Sequence, residues 1–183
     1  MKNFISPNTH LSSFFTGSTV EAMIKKAKEL DTGYCVCTDN GYLTNIMKGY
    51  SKAKKEGLKF IAGCELYFVD KECDIIKGTK AEQIRYYTIT VHAKTQDAYQ
   101  FLVKKISEKS RQKIEILDQE YPTFNWADLQ EFSMRDFTVV LGGPQDIVCK
   151  NLLVDEAIVG AKIFNKLKNM FGQNLYASII PIE

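Results

Sequence analysis

The chain has 183 residues, of which 45% are hydrophobic and 25% are charged. This composition is typical of a globular domain and excludes a disordered, collagenous or coiled-coil protein. The formal net charge of +2, from 24 basic and 22 acidic residues, does not by itself indicate a nucleic-acid or membrane partner. No run approaches the roughly 18 apolar residues of a membrane span, and the N-terminal stretch lacks the apolar core of a signal peptide.

Helices and strands alternate through the first half of the chain. The predicted elements are a short strand at residues 4–5, a helix from Ser18 with a capping-box spacing to Glu21, a strand at 34–38, a helix at 43–56, and a strand at 58–62. In the second helix, apolar periodicity predicts one inward face that contains Ile46, Met47, Tyr50 and Ala53.

The second half continues the alternation. We predict a loop at 70–84, a strand at 85–93, a helix from Thr95 to about residue 107, irregular chain at 108–124, a helix at 126–132 capped by Asn125, a strand at 137–141, a helix at 155–171 with Ala157, Ala161, Phe164, Leu167 and Phe171 inward, and a last strand at 175–182. Strands that alternate with helices predict parallel pairing, and hence a single α/β domain, layered or barrel-shaped, over residues 1–183.

The five cysteines are Cys35, Cys37, Cys64, Cys73 and Cys149, and none belongs to a Cys-x-x-Cys pair. Their number is odd, and their spacing offers no closed set of four zinc ligands. We therefore expect reduced, mostly buried thiols in a cytoplasmic protein. Cys35 and Cys37 should share one face of their strand.

Chemistry-bearing residues follow several predicted strands. They are His10, Asp39, Glu65, His92 and the turn Gly142-Gly143-Pro144. Active sites of parallel α/β folds lie at the carboxyl ends of strands, which favours these positions as a candidate site. Each also has an ordinary structural interpretation, as a plain turn, a solvated carboxylate or a hydrogen-bonded buried histidine.

Other functional classes have weaker support. The sequence contains no dinucleotide-binding G-x-G-x-x-G, no phosphate-binding P-loop and no G-x-S-x-G nucleophile motif. Lysine groups at 25–26, at 52, 54 and 55, and at 104–105 have acidic neighbours, which favours solvated helix faces over a nucleic-acid track.

The order of these pieces resembles the PHP (polymerase and histidinol phosphatase) domain. The stretch AKELDTGYCVCTDNGYLTNIMKGYSKAKKEGLKFIAGCELYF at 27–68 is similar to the version at the N-terminus of bacterial C-family replicative DNA polymerases, of the polymerase III alpha type. Residues 38–41 match the family's TDHG, and residues 63–67 match its GCEVY. Weaker similarity extends through 90–102, 137–143 and 154–177.

The resemblance implies a distorted (βα) barrel of seven strands. Active members carry two or three metal ions at the strand ends and hydrolyse phosphoesters. There the metals lower the pKa of a bound water and clamp phosphate oxygens. About six of the seven strands are expected here, because the family's last ligand-bearing segment has no counterpart.

Only part of the family's ligand set has a counterpart in this sequence. His10, Asp39 and Glu65 match ligand positions, so the resemblance makes them candidate ligands of a vestigial site that could hold one Mn or Zn ion. Elsewhere the family's ligand positions carry other residues: Asn8, Thr16, Asn40, Tyr87 or Thr88, and Pro144. His92 falls too late in its strand to replace a lost histidine. Neutral amides and proline are poor ligands for hard divalent ions.

We therefore expect a degenerate PHP domain with a structural or partner-binding role in DNA replication, no catalytic residues and no phosphoesterase activity. Its expected partners are the remaining polymerase domains or replisome proteins, including the proofreading exonuclease that some family members bind. Such divergence suggests a bacteriophage or another mobile element as the source. Two alternatives stay open: a small metal-dependent phosphoesterase that uses a reduced site, and a stand-alone replisome-binding protein that mimics the polymerase domain.

Overall fold

The computed structural model describes residues 9–11, 18–69, 86–111, 113–116, 119–153 and 157–178. In chain order the elements are α1 (Val20–Glu29), β1 (Tyr34–Cys37), α2 (Ile46–Lys55), β2 (Lys59–Phe68), β3 (Tyr87–Ala93), α3 (Gln96–Lys109), β4 (Lys113–Ile116), β5 (Gln119–Phe124), α4 (Trp126–Ser133), β6 (Phe137–Leu141), α5 (Ile147–Leu153), α6 (Ala157–Phe171), a 3-10 turn (Gly172–Asn174) and β7 (Leu175–Ala177). The fold is therefore mixed α/β. The strand predicted at 4–5, the loop predicted at 70–84 and Cys73 lie outside the described residues.

The seven strands form one sheet in the order β4-β5-β2-β3-β6-β7, and β1 pairs with the first half of β2. The prediction of parallel pairing throughout is wrong. Strand β3 runs antiparallel to both of its neighbours, β2 and β6, whereas β1–β2, β2–β5 and β6–β7 are parallel. The sequence between β2 and β3 carries no helical pattern, and a connection without a crossover helix usually joins antiparallel strands.

Strands β4 and β5 form an antiparallel hairpin in a region predicted to be irregular. Short length, alternating charge and Pro122 within β5 hide the strand pattern there. The hairpin contributes two of the seven described strands. The predicted strand at 4–5, which was counted among the expected six, lies outside the described residues. Among the described residues, β4 and β7 are the two end strands of the order, and they do not pair with each other. A closed barrel is therefore not shown.

Two apolar clusters hold the sheet and helices together. The larger packs α3, α4, α5 and α6 against one face of β2, β3 and β6, with Phe68, Val91 and Val139 fully buried. The smaller packs α1 and α2 against β1 and includes both Cys35 and Cys37, so their shared face is confirmed. Burial raises the pKa of Cys35 to about 11 and that of Cys37 to about 12, so both stay protonated thiols at neutral pH.

The opposite face of β2 and β3 is polar although largely buried. Register places Glu65 beside Thr90, and Gly63 beside His92. Since paired residues of neighbouring strands project to the same side, these four share one face. Thr90 and His92 are 6% and 7% exposed, so this polar face is shielded from solvent and positions the candidate site.

Helix starts follow local capping rules. Thr95 caps α3 as predicted, and Asn125 caps α4 in a capping box with Asp128. In α1 the cap is Thr19 rather than Ser18, because Thr19 Oγ1 accepts a hydrogen bond from the N–H of Ala22 at 3.1 Å.

Two predicted helix faces differ in the structure. Helix α2 buries Ile46, Gly49 and Ala53, whereas Met47 and Tyr50 are exposed. Helix α6 buries Gly160, Leu167 and Phe171, and leaves Ala157, Ala161 and Phe164 at the surface. Each helix packs a glycine against a neighbouring side chain: Gly49 lies against the Phe60 ring and Gly160 against Leu152. None of the helices in the described ranges is long and apolar enough to cross a membrane.

Candidate functional site

The first described residues lie along the carboxyl end of β1. The N–H of Thr38 donates to the carbonyl oxygen of Thr9 at 2.9 Å, and the N–H of Thr9 donates to Thr38 Oγ1 at 2.8 Å. These two bonds fix the position of residues 9–11. As a result, His10 lies over the end of the sheet.

Asp39 lies two residues after the end of β1 and is 1% exposed. Its Oδ1 accepts the N–H of Leu11 at 2.7 Å, and its Oδ2 accepts Nδ2 of Asn45 at 2.9 Å. The carboxylate therefore joins the N-terminal segment to the start of α2. Hydrogen bonds that a carboxylate accepts from protein N–H groups are among the stronger contributions to stability.

Glu65 lies inside β2 rather than after its strand, which corrects the predicted position. Its N–H donates to the carbonyl oxygen of Asp39 at 3.1 Å, and its carbonyl oxygen accepts the N–H of Gly41 at 2.8 Å. Its Oε2 lies 3.0 Å from Nε2 of His10. The structure thus brings His10, Asp39 and Glu65 together at one edge of the sheet.

The His10 imidazole has a shifted pKa. Burial opposes protonation, but the hydrogen bond and charge of Glu65, the charge of Asp39 and the neighbouring Asn40 amide outweigh burial and raise the pKa. The His10–Glu65 contact therefore becomes an ion pair over a wider pH range than a free imidazole would allow.

His92 lies on the same face but one strand away. It pairs with Gly63, two positions or roughly 7 Å along β2 from Glu65. The His92 ring fills the space above Gly63, where an added Cβ would lie 2.8 Å from Cδ2 of His92 and 2.9 Å from Cγ2 of Thr38. This packing fits a buried strand histidine.

The turn after β6 is closed by backbone contacts. The N–H of Ser178 donates to the carbonyl oxygen of Leu141, and a Cβ on Gly142 would lie 2.2 Å from the carbonyl oxygen of Ser178. Asp146 accepts hydrogen bonds from the N–H of Gly142 and, at 2.7 Å, from that of Val148. Sequence reasoning did not single out Asp146, although an aspartate directly before an apolar run is a helix-start signal.

Asn45 was also missed by sequence reasoning. It precedes α2 and donates to Asp39, but its own side chain makes no capping bond to the helix. Its position before a helix would suggest a capping role, but in the structure the amide bonds Asp39 instead. Only the fold shows that its amide supports a buried carboxylate.

The side chains at the matched ligand positions bond each other and the surrounding chain. Both oxygens of Asp39 accept protein N–H groups, Glu65 bonds His10, and Asn40 supplies a neutral amide. Within the described ranges, no three His, Cys, Asp or Glu side chains are grouped in a way that could hold a metal ion. As it stands, the cluster can hold a proton between His10 and Glu65 and tie together the N-terminal segment, β1, α2 and β2.

Fold and site together define an α/β protein with a histidine–carboxylate cluster at the strand ends. Comparison with family models identifies the class: the PHP domain matches residues 8–179, and the chain belongs to the PHP domain family. The resemblance read from the motifs is thereby confirmed.

One curated relative narrows the comparison. The chain is 30% identical over 116 residues to the DNA polymerase III subunit alpha of Borreliella burgdorferi. The alignment covers 62% of this chain but only 10% of that protein. The chain thus spans about a tenth of the relative's length.

Proposed function

We propose that this chain is a degenerate PHP domain of a C-family DNA polymerase, or of a shortened relative, with a structural and partner-binding role in DNA replication. We further propose that it has no phosphoesterase activity of its own. One observation carries the proposal: the matched ligand positions His10, Asp39 and Glu65 are engaged in hydrogen bonds with each other and with the surrounding chain.

These hydrogen bonds give the three retained residues a role in stabilising the fold. Asp39 accepts hydrogen bonds from Leu11 and Asn45, and Glu65 pairs with His10, so these side chains would stabilise the fold with or without an ion. Their retention therefore does not require a metal site.

The partner proposal is supported by the family and by the polymerase relative. The remaining domains of a polymerase alpha subunit are the first candidates, and the proofreading exonuclease is the second. Polymerisation itself would belong to those other domains.

A metal-binding test separates this proposal from the phosphoesterase alternative. The chelator-treated chain is melted with and without millimolar Mn²⁺ or Zn²⁺, and hydrolysis of p-nitrophenyl phosphate is followed under the same conditions. We expect no metal-dependent shift and no hydrolysis. A ligand at 100 times its Kd adds about 2.7 kcal/mol, which for this size raises the Tm by about 5–10 °C. Such a rise, abolished by Asp39→Ala or Glu65→Ala, would support a single-ion site at His10, Asp39 and Glu65 instead.

A binding test addresses the partner role. The chain is mixed with a DNA polymerase III alpha fragment that lacks its own PHP domain, and complex formation is measured by sedimentation velocity. We expect a one-to-one complex. Binding to a different replisome protein, with no binding to the polymerase fragment, would favour the stand-alone binding protein.

A further inference from the structure

A groove of about 350 Å³ lies between α2 and α3, and its lining contains none of His10, Asp39 and Glu65. Its floor is the sheet, and its walls come from the two helices. Its lining includes Met47 and Tyr50 of α2, Phe60 of β2, Lys94 before α3 and Tyr99 within α3. All of the lining residues lie in described parts of the chain, and most of them are apolar or aromatic.

The groove displays large apolar side chains that the fold does not bury. Met47 is 66% exposed and Tyr50 is 48% exposed, although both belong to the apolar pattern of α2. Exposed apolar groups that gather around a concave surface mark an interaction site more often than scattered ones do. Methionine in particular adapts its shape to different apolar partners.

The groove is formed before any partner arrives. Gly49 lets α2 sit directly on the Phe60 ring, since a Cβ there would lie 2.7 Å from Cε2 of Phe60. The Tyr50 ring packs edge-on against Phe60, with ring centroids 6.3 Å apart. A preformed groove lowers the entropy cost of docking.

Charge indicates the occupant. The lining contains Lys94 and no acidic residue, and Nζ of Lys54 lies 5.9 Å from the ring centroid of Tyr50. Helix α2 carries four lysines and no acid. Lys48 and Lys52 pair with Glu21 of α1, and Lys55 lines the cleft toward α1. Lys54 is the α2 lysine that lies beside the groove residue Tyr50. A second copy of the chain would bring lysine against lysine, whereas an acidic segment would be complementary.

We propose that this groove docks an acidic amphipathic helix from a protein partner, whose apolar side chains contact Met47, Tyr50 and Tyr99. Helices that place apolar anchors in a groove are a common recognition mode. This inference rests on the proposed partner-binding function and adds the surface and the chemistry of the partner.

The test uses a synthetic 20-residue helix with leucines at i, i+3, i+4 and i+7 spacing and glutamates on the polar face, labelled with fluorescein. Its twin carries lysines in place of the glutamates. Anisotropy titrations with the full chain should show binding of the acidic helix only, weakened by added salt. Met47→Glu and Tyr50→Ala should each weaken it at least tenfold. Met134→Glu, at a residue 74% exposed elsewhere, should leave it unchanged.

Three results would overturn the proposal: no binding of the acidic helix, equal binding of the lysine twin, or binding that Met47→Glu leaves intact. Self-association of the chain that Met47→Glu abolishes would assign the groove to a second copy instead. Thermal melts of each variant check that the fold is retained. If the chain binds the polymerase fragment but not the peptide, the groove proposal is wrong and the proposed function still stands.

Discussion

Nε2 of His10 lies 3.0 Å from Oε2 of Glu65, which links the N-terminal segment to the middle of β2. The resemblance assigns both residues to a metal site, yet here they bond each other. Two further ties, from Asp39 to Leu11 and to Asn45, complete a buried polar cluster at the end of the sheet. We therefore expect substitutions in this cluster to change stability, whether or not a metal is present.

Stability should depend on pH through His10. Its folded-state pKa is raised above the usual value of about 6.5, so the folded state holds the proton more tightly than the unfolded chain. The stabilisation is complete below about pH 6.5 and is lost as pH rises through the raised folded-state pKa. Urea unfolding between pH 5.5 and 8 should show a free energy of unfolding that falls over the upper part of this range.

His10→Gln should flatten that decline, and Glu65→Gln should reduce it. The pH range ends at 8 so that thiol ionisation does not add a second pH dependence. Thiols of the unfolded chain titrate near pH 8.5, whereas burial raises the pKa of Cys35 in the folded state. An unchanged pH slope in His10→Gln would assign the effect to another group.

Asp39→Ala should destabilise the protein whether or not metal is present. The substitution removes one buried and one part-buried hydrogen bond and leaves the N–H of Leu11 without its acceptor. The expected cost is about 2–4 kcal/mol, or roughly 5–15 °C in Tm. Scanning calorimetry in EDTA measures the shift directly.

Glu29→Ala is the matched control for Asp39→Ala. Glu29 is a surface carboxylate whose ion pairs with Lys25 and Lys26 span 3.9 and 3.7 Å. Exposed pairs of this kind contribute little, so the Tm should move by no more than about 2 °C. Equal shifts in the two variants would mean that the buried bonds of Asp39 do not stabilise the cluster.

Gly63→Ala should weaken the junction of β1, β2 and β3. The new Cβ would lie 2.4 Å from the carbonyl oxygen of Val91, a backbone atom that cannot move without disturbing the strand pair. Overpacking of this kind costs about 1–3 kcal/mol or more. We expect urea unfolding to show a loss at the upper end of that range.

Gly143→Ala provides the comparison at another glycine. A Cβ there meets no atom within 4 Å, and Gly143 does not have a positive φ. Its free energy of unfolding should change by less than about 1 kcal/mol. A Gly63→Ala variant as stable as Gly143→Ala would show that the strands separate easily at this point.

The sequence by itself determined the features that depend on local rules. The TDNG and GCELY motifs and their spacing gave the PHP resemblance, which the family match confirmed. Thr95 and Asn125 were predicted as helix caps because a cap bonds only to the next turn of chain. Cys35 and Cys37 were assigned to one strand face because side chains alternate along any strand.

Tertiary structure alone decided the rest. Local pattern does not contain the direction of β3, the strand character of the β4–β5 hairpin or the exposure of Met47 and Tyr50, since each depends on which distant elements pack together. The same holds for the partners of Asp39 and Glu65. A carboxylate beside a turn reads the same in sequence whether it faces a metal, solvent or a buried N–H, and only the packed chain brings Leu11, Asn45 and His10 within bonding distance.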